Sequence, residues 1–378
     1  MFLKKDKQSL HKQLDISEKA LPGKTTMPLL QNIFMEKDND KLTLMTTNLE
    51  IGIKSSFKLD GGLEDSEESG PEQILIPAKI IDIVKHLPEQ EVEIKVDEED
   101  YNIHIRSGEA KFNLKGINAE EYPVFAEQEP ENKPLKLREK DLKEIIRKTI
   151  FATSSDEGRP AFTGLLFSIE GQSLNLIASD TYRLVIEERE IEEWGYEENK
   201  FLVPARSLRE LSKLLSDDED EVWIYPVDKQ LIFYFKDIFF FARLLEDKFP
   251  DFRKVIPSEH TTRITVEKEL LEDLVSRASL LSDNISRAMK LKLEDQRLLV
   301  TTSSEMGKME EGMPVKEQEG EDIEILLNVK FVMDVLRVLD CEEIEIKFSG
   351  REAPTIIRPA REDTYLYLVL PIKVEQPM

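Results

Sequence analysis

Three cations recur at one place in this 378-residue chain. Lys79, Arg206 and Lys330 each follow a short apolar run, at residues 74–77, 201–204 and 325–329, and each opens a stretch with helical apolar spacing. Lys85, Arg209, Lys213 and Arg337 follow on the same stretches, and Arg147 and Lys148 close another. Cations spread along helices, with no nucleophile or base beside them, suit one task. They hold phosphate oxygens without reading base sequence, and such contacts weaken as salt rises. Catalytic patterns do not emerge. His11, His86, His104 and His260 are scattered without the i, i+4 spacing of metal ligands. No phosphate-cradling glycine loop or nucleophile elbow stands in a fitting context. Asp180 and Arg183 read as an ion pair or cap at a hairpin end. The acidic runs 64–68, 97–100, 217–221 and 317–322 read as solvated loops. No catalytic residue, metal site or cofactor is therefore expected.

The formal net charge is -25 and the isoelectric point about 4.8. Taken as a sum, that argues against a nucleic-acid partner. The placement of the charges points the other way, with cations on helices and acids in loops. Such a chain can present a positive wall on one side and a negative exterior on the other. The lone cysteine, Cys341, rules out a disulfide framework and fits a reducing compartment. Lys4, Lys5, Asp6 and Lys7 follow the start at once, and no apolar run reaches the ~18–20 residues needed to span a bilayer. A cytoplasmic protein with no membrane partner is expected.

The elements that must carry these residues repeat. Residues 159–184 hold an Arg-Pro turn, a strand at 165–169, a Glu-Gly turn and a strand at 174–178 that ends in Ser179-Asp180-Thr181-Tyr182-Arg183-Leu184. The same phrase occurs at 27–52, and more weakly at 286–307. Around it the order is constant. The first third predicts a helix over 7–21, a strand at 74–76 leading into a helix to 87, and strands at 91–96, 101–106 and 111–115. The second predicts a helix over 137–152, a helix from 205 to 215, and strands at 221–225, 230–235 and 238–244. The third predicts helices over 268–281 and up to 339, and strands at 343–348, 355–359 and 365–370. Linker-like segments lie near 126–136 and 253–262. The reading is an α+β protein of three similar domains, 1–126, 134–253 and 260–378, each with two helices on antiparallel sheets.

The residues Lys24-Thr25-Thr26-Met27-Pro28-Leu29-Leu30, Arg159-Pro160 with Thr163-Gly164, Ser179 to Leu184, Val203-Pro204-Ala205-Arg206, Phe249-Pro250-Asp251-Phe252 and Tyr367-Leu368-Val369-Leu370-Pro371-Ile372 stand in an order that resembles the bacterial DNA polymerase III beta subunit family, the sliding clamps. The resemblance spans essentially the whole chain. It implies a head-to-tail homodimer whose six domains close a ring around duplex DNA, tethering the replicative DNA polymerase without catalysis. It implies that Lys24 joins Lys79, Arg206, Lys330, Arg209, Lys213, Arg147 and Lys148 as DNA contacts. It implies a peptide groove at Arg159, Phe162, Ser179, Tyr182, Arg183, Leu184, Pro257, Leu368, Leu370, Pro371, Ile372 and Lys373. That groove would take linear motifs of the polymerase, the clamp loader and other motif-bearing proteins. Tyr182 and Phe162 depart from the family's usual residues, and a tail, 374–378, is added. At the seam, the resemblance implies Phe112 and Leu114 on one side and Leu280 and Leu281 on the other. The alternative is a diverged clamp-like scaffold that binds peptides without tethering DNA.

Simple packing agrees with a ring. Twelve helices side by side at ~9–10 Å place their axes on a circle ~35 Å across. Removing one helix diameter of ~10 Å leaves ~25 Å, enough for duplex DNA and water.

Overall fold

A computed structural model describes residues 1–59, 71–88, 91–97, 99–125, 128–283 and 287–373. The acidic run 64–68 and the tail 374–378 lie outside the described residues.

The first third runs β1 (Phe2–Asp6), α1 (Lys7–Glu18), β2 (Asn32–Asp38), β3 (Lys41–Thr47), β4 (Ile51–Lys58), β5 (Gln73–Pro77), α2 (Lys79–His86), β6 (Glu91–Val96), β7 (Asn102–Ser107) and β8 (Ala110–Lys115). The second runs β9 (Leu135–Arg138), α3 (Glu139–Thr149), β10 (Gly164–Glu170), β11 (Ser173–Ser179), β12 (Arg183–Glu190), β13 (Lys200–Pro204), α4 (Ala205–Leu214), β14 (Glu221–Val227), β15 (Gln230–Phe235) and β16 (Ile238–Arg243). The third runs β17 (Thr262–Glu267), α5 (Lys268–Ser279), β18 (Ala288–Glu294), β19 (Arg297–Ser304), β20 (Gly307–Pro314), β21 (Glu317–Gly320), β22 (Ile323–Asn328), α6 (Val329–Leu336), β23 (Glu343–Phe348), β24 (Thr355–Pro359) and β25 (Tyr365–Val369). Among the described residues the order of strands and α-helices is the same three times, with β21 the single addition.

Local chemistry starts the helices. The Asp6 carboxylate accepts from the amides of Gln8 and Ser9 and caps α1. Asn328 accepts from the Lys330 amide and caps α6. Leu10 and Leu14 of α1, with Ile80, Ile81 and Val84 of α2, lie one helical turn apart and are all buried.

The chain divides into two compact units, residues 1–140 with 206–244, and residues 141–205 with 245–378. The first holds a four-stranded sheet, β1-β6-β7-β8, and an eight-stranded sheet, β5-β2-β3-β4-β16-β15-β14-β9. Its main core gathers Leu10, Leu14, Ile33, Leu44, Ile76, Ile80 and Val84 with Ile94 and Ile105 of the four-stranded sheet. The second unit holds a four-stranded sheet, β20-β19-β18-β22, and a nine-stranded sheet, β13-β10-β11-β12-β25-β24-β23-β17-β21. In both large sheets a strand of one repeat pairs antiparallel with the last strand of the next. β4 lies against β16 with Gly52 opposite Phe241, and β12 lies against β25 with Leu184 opposite Leu368.

Two sequence expectations change. The stretch 137–152 is not one helix. Buried Leu135 and Leu137 alternate with Lys136 and Arg138 to form β9, and the helix starts only at Glu139. The acidic run 317–322 is not a loop throughout. Its first four residues form β21, which pairs with β17 and sets Glu319 against Arg263 at 2.5 Å. A strand exposed on both faces has no apolar alternation to announce it. β1, β4, β12 and β20 were also not anticipated.

Candidate functional site

In the first two repeats the shared phrase is one turn, held by the same set of hydrogen bonds; in the third, among the described residues, only the bond from the Met306 amide to the Ser304 hydroxyl, at 3.3 Å, recurs. In the second repeat the Ser179 hydroxyl donates to the Arg183 carbonyl at 2.7 Å and accepts from the Thr181 amide at 3.1 Å. Asp180 accepts from the amides of Tyr182 and Arg183, both at 3.0 Å. In the first repeat Thr47 donates to the Ile51 carbonyl at 2.7 Å and accepts from the Leu49 amide at 2.9 Å. Asn48 accepts from Glu50 and Ile51 at 3.0 and 2.8 Å. The third residue of each turn has positive φ, 72° at Leu49 and 79° at Thr181. Side-chain oxygens that hold the following amides stabilise that left-handed step in non-glycine residues.

Beyond the second turn lies an apolar pocket of about 210 Å³, lined by Phe162, Ser179, Thr181, Tyr182, Arg183, Leu184, Phe249, Pro250, Asp251, Phe252, Val255, Leu368 and Leu370. Leu184 and Leu368 form its floor and are nearly fully buried, packed with Leu166, Ile177 and Leu202. Tyr182 stands at the mouth, 59% exposed. Phe162 and Phe249 meet edge to face with centroids 5.9 Å apart.

Arg183 serves this pocket from behind. Its side chain is buried, bonded to Asp180 at 3.0 Å, to Asp334 at 2.7 Å and to the Phe151 carbonyl at 2.7 Å. The guanidinium also lies over Phe331 at 4.4 Å and Phe151 at 5.3 Å. Its donors are engaged within the fold, so a direct bond to a peptide gives way to a framework role. Arg159 is exposed, bonded to Asp156 at 3.0 Å and to the Thr181 hydroxyl at 3.4 Å. Pro257, Pro371 and Ile372 are half-buried and Lys373 is exposed, all outside the lining. Thr181, Phe249, Pro250, Asp251, Phe252 and Val255 line the pocket but were missed from sequence. The recurrence of 122–125 as 249–252 at the end of each repeat was the available signal.

The expected phosphate contacts divide. Lys24 and Lys330 are exposed with no ion-pair partner among the described residues. Arg209 is also exposed. Lys79 pairs with Asp82 at 2.8 Å, Lys213 bonds Glu210 at 2.7 Å, Arg206 pairs with Glu50, and Arg147 with Asp340. These four sit in water and can exchange partners, because exposed ion pairs are weak. Lys148 is different. It is buried and pairs with Glu144 at 2.6 Å, with Glu187 3.9 Å away. A phosphate cannot reach it, so it leaves the set.

Glu187 is the unusual acid of this unit. It is fully buried on β12 opposite Tyr365, and neither carboxylate oxygen makes a hydrogen bond. Arg189 lies 2.6 Å from it. Burial outweighs Arg189 and Lys148 and pushes the Glu187 carboxyl up to about 7.

Sequence families described as DNA polymerase III beta subunit, N-terminal, central and C-terminal domain, match residues 1–126, 136–251 and 253–373. A beta sliding clamp of Halalkalibacterium halodurans is 37% identical over 363 residues, covering 94% of this chain and 95% of that protein. The chain belongs to the DNA polymerase III beta subunit family, the beta sliding clamps. The Bacillus subtilis beta sliding clamp is 33% identical over 94% of this chain and 95% of its own. A crystal structure of the DNA polymerase sliding clamp from Bacillus subtilis superposes with a TM-score of 0.92 at 32% identity, over 99% of this chain and 100% of that one. The Thermotoga maritima DNA polymerase III beta subunit gives 0.88 at 27% identity, with the same coverage of both chains. Three clamp domains of mixed helix and antiparallel sheet are therefore the family architecture. No described helix is long and apolar enough to cross a membrane.

Proposed function

We propose that this sliding clamp closes head to tail as a homodimer around duplex DNA and tethers the replicative polymerase through linear peptides. The observation that carries this is the pairing rule of the strands. The fourth strand of each repeat pairs with the last strand of the following one, β4 with β16 and β12 with β25. The rule leaves β20 and β8 at bare sheet edges. Pairing β20 of one copy with β8 of a second meets the rule at both ends and removes both edges, and a two-fold arrangement of this kind closes. Phe112 on β8 and Leu280 just after α5 are 40% and 74% exposed, which suits an apolar seam. Leu114 and Leu281 complete it.

Lys24, Lys79, Arg206, Lys330, Arg209, Lys213 and Arg147 hold phosphates without sequence preference, so the ring slides. The pocket behind Tyr182 takes an apolar peptide anchor from the polymerase, the clamp loader or other partners, with Phe162, Leu184, Leu368 and Leu370 as its walls. Arg159, Ser179, Pro257, Pro371, Ile372 and Lys373 flank or support it. The clamp performs no chemistry itself, needs no cofactor and works in the cytoplasm. The diverged scaffold without a DNA role is not favoured, since full-length relatives are named as clamps.

The test is topological. The wild-type clamp loaded on nicked circular DNA should stay bound at moderate salt and fall off when the circle is linearised. Converting Lys79, Arg206 and Lys330 to Glu should abolish loading or retention. Retention equal to wild type would sink the DNA-encircling reading.

A further inference from the structure

The first repeat boundary carries a groove that the clamp reading leaves unused. It occupies about 570 Å³ and is lined by Leu49, Pro123, Val124, Phe125, Gln128, Val227, Asp228, Lys229, Gln230, Ile232, Phe239, Phe241 and Arg243. That volume falls within the ~300–1,000 Å³ of ligand-binding clefts. Its position is set by the same turn that sets the pocket behind Tyr182. Leu49 stands where Thr181 stands, and Phe241 where Leu368 stands, by strand register. The backbone closes alike, with the Arg243 amide donating to the Glu50 carbonyl and the Leu370 amide to the Tyr182 carbonyl, both at 2.9 Å.

Two replacements change the chemistry. Gly52 takes the place of Leu184, and a Cβ there would meet the Phe125 ring at 2.9 Å. The missing side chain lets Phe125 stack on Phe241 with centroids 5.0 Å apart, giving an aromatic floor. Leu49 and Val124 remain 46% and 56% exposed beside it. The second replacement is Arg243 at the position of Leu370. Its side chain is exposed and has no ion-pair partner among the described residues. Asp228 is the one acid on the lining among the described residues.

We propose that this groove is a second docking site, for an extended segment of a protein partner that places a bulky apolar side chain beside a carboxylate. The apolar side chain covers Leu49, Val124 and the Phe125–Phe241 stack. The carboxylate meets the Arg243 guanidinium, a planar donor fork matched to it. Charge complementarity separates the two grooves. Where the pocket behind Tyr182 offers Leu370 to a second apolar group, this one offers a cation. One clamp can thereby hold two segments of different composition at once. The proposal stands apart from the ring and from the peptide reading of the Tyr182 pocket.

The experiment uses the full chain and two hexapeptides with a central photoreactive benzoylphenylalanine, one flanked by aspartates and one by asparagines. After irradiation, labelled residues are mapped by mass spectrometry. The aspartate peptide should label residues 123–125 or 227–243 saturably below about 1 mM, at least about tenfold better than the asparagine peptide. Arg243→Glu should remove that preference, and Tyr182→Ala should leave it intact. Both positions are exposed, and circular dichroism would verify folding. Labelling confined to the Tyr182 pocket, equal labelling by the two peptides, indifference to Arg243→Glu, or no saturable labelling would each overturn the proposal. Loss of labelling only at the Tyr182 pocket in Tyr182→Ala would bear on the peptide reading alone.

Discussion

Arg183 and Tyr182 are neighbours in sequence with opposite duties, and substitution should separate them. Arg183→Ala leaves the partly buried Asp180 and Asp334 without their partner and empties the space between Phe151 and Phe331, which costs about 2–3 kcal/mol. Urea unfolding should show a loss of that order, and Arg183→Lys should not restore it, because an ammonium cannot reach three acceptors and stack between Phe151 and Phe331. Tyr182→Ala should stay within about 0.5 kcal/mol of wild type while weakening peptide capture, read by fluorescence anisotropy. Glu187 gives a pH signature. Its folded pKa, about 7, is raised from an ordinary 4.5. The stabilisation from this shift is fully present below pH 4.5 and is lost as pH rises through 7. The ceiling of the effect is about 3 kcal/mol. Calorimetry of Glu187→Gln should show a flatter stability profile across that window and a higher relative stability at pH 8. A parallel slope in variant and wild type would refute this account.

At the scale of elements, the junctions and the seam are the places to press. Gly52→Ala puts a methyl against Phe125 and should cost about 1–3 kcal/mol as the ring is driven off Phe241. Thermal melts report the cost. Leu280→Ala with Leu281→Ala should shift the sedimenting species from dimer toward monomer, and an unaltered dimer would remove these residues from the seam. Much of the element order was legible in the sequence. β6, β15, β23 and β24 have the bounds expected, β6 from its apolar alternation and the other three as short, mostly buried runs. β4 and β12 were not legible as strands, since each is completed by a partner far along the chain, and β20 was not legible because it is an edge strand with almost no buried apolar residue. Leu184 and Leu368 could be named from sequence, yet their role as a shared floor depends on a register that only pairing fixes. The position of Lys148 was likewise unreadable. Its neighbour Arg147 faces water one residue earlier on α3, and nothing in the sequence distinguishes the two.

For the molecule as a whole, the cooperative units do not coincide with the sequence repeats. Each compact unit takes part of the central repeat, β9 and β14–β16 in one and β10–β13 in the other. A fragment of residues 134–253 would keep β11 beside β12 and β15 beside β16 but lose β25 and β4, leaving two bare edges of the kind that aggregate. Expressed alone, it should be insoluble or self-associated by light scattering, whereas the intact chain should not. A soluble, cooperatively folding monomeric fragment would show that the shared sheets are dispensable.

The strand pairing has a last consequence, for how many copies of the repeat a chain could hold. β4 accepts β16 and β12 accepts β25 through the same antiparallel ladder, so a fourth copy inserted in tandem would find matching neighbours on both flanks. The chain would still finish in the same two unsatisfied strands. Nothing in the ladder counts to three. The number of repeats is therefore set outside the strand ladder, and a four-copy chain would find the same pairing open to it at every junction.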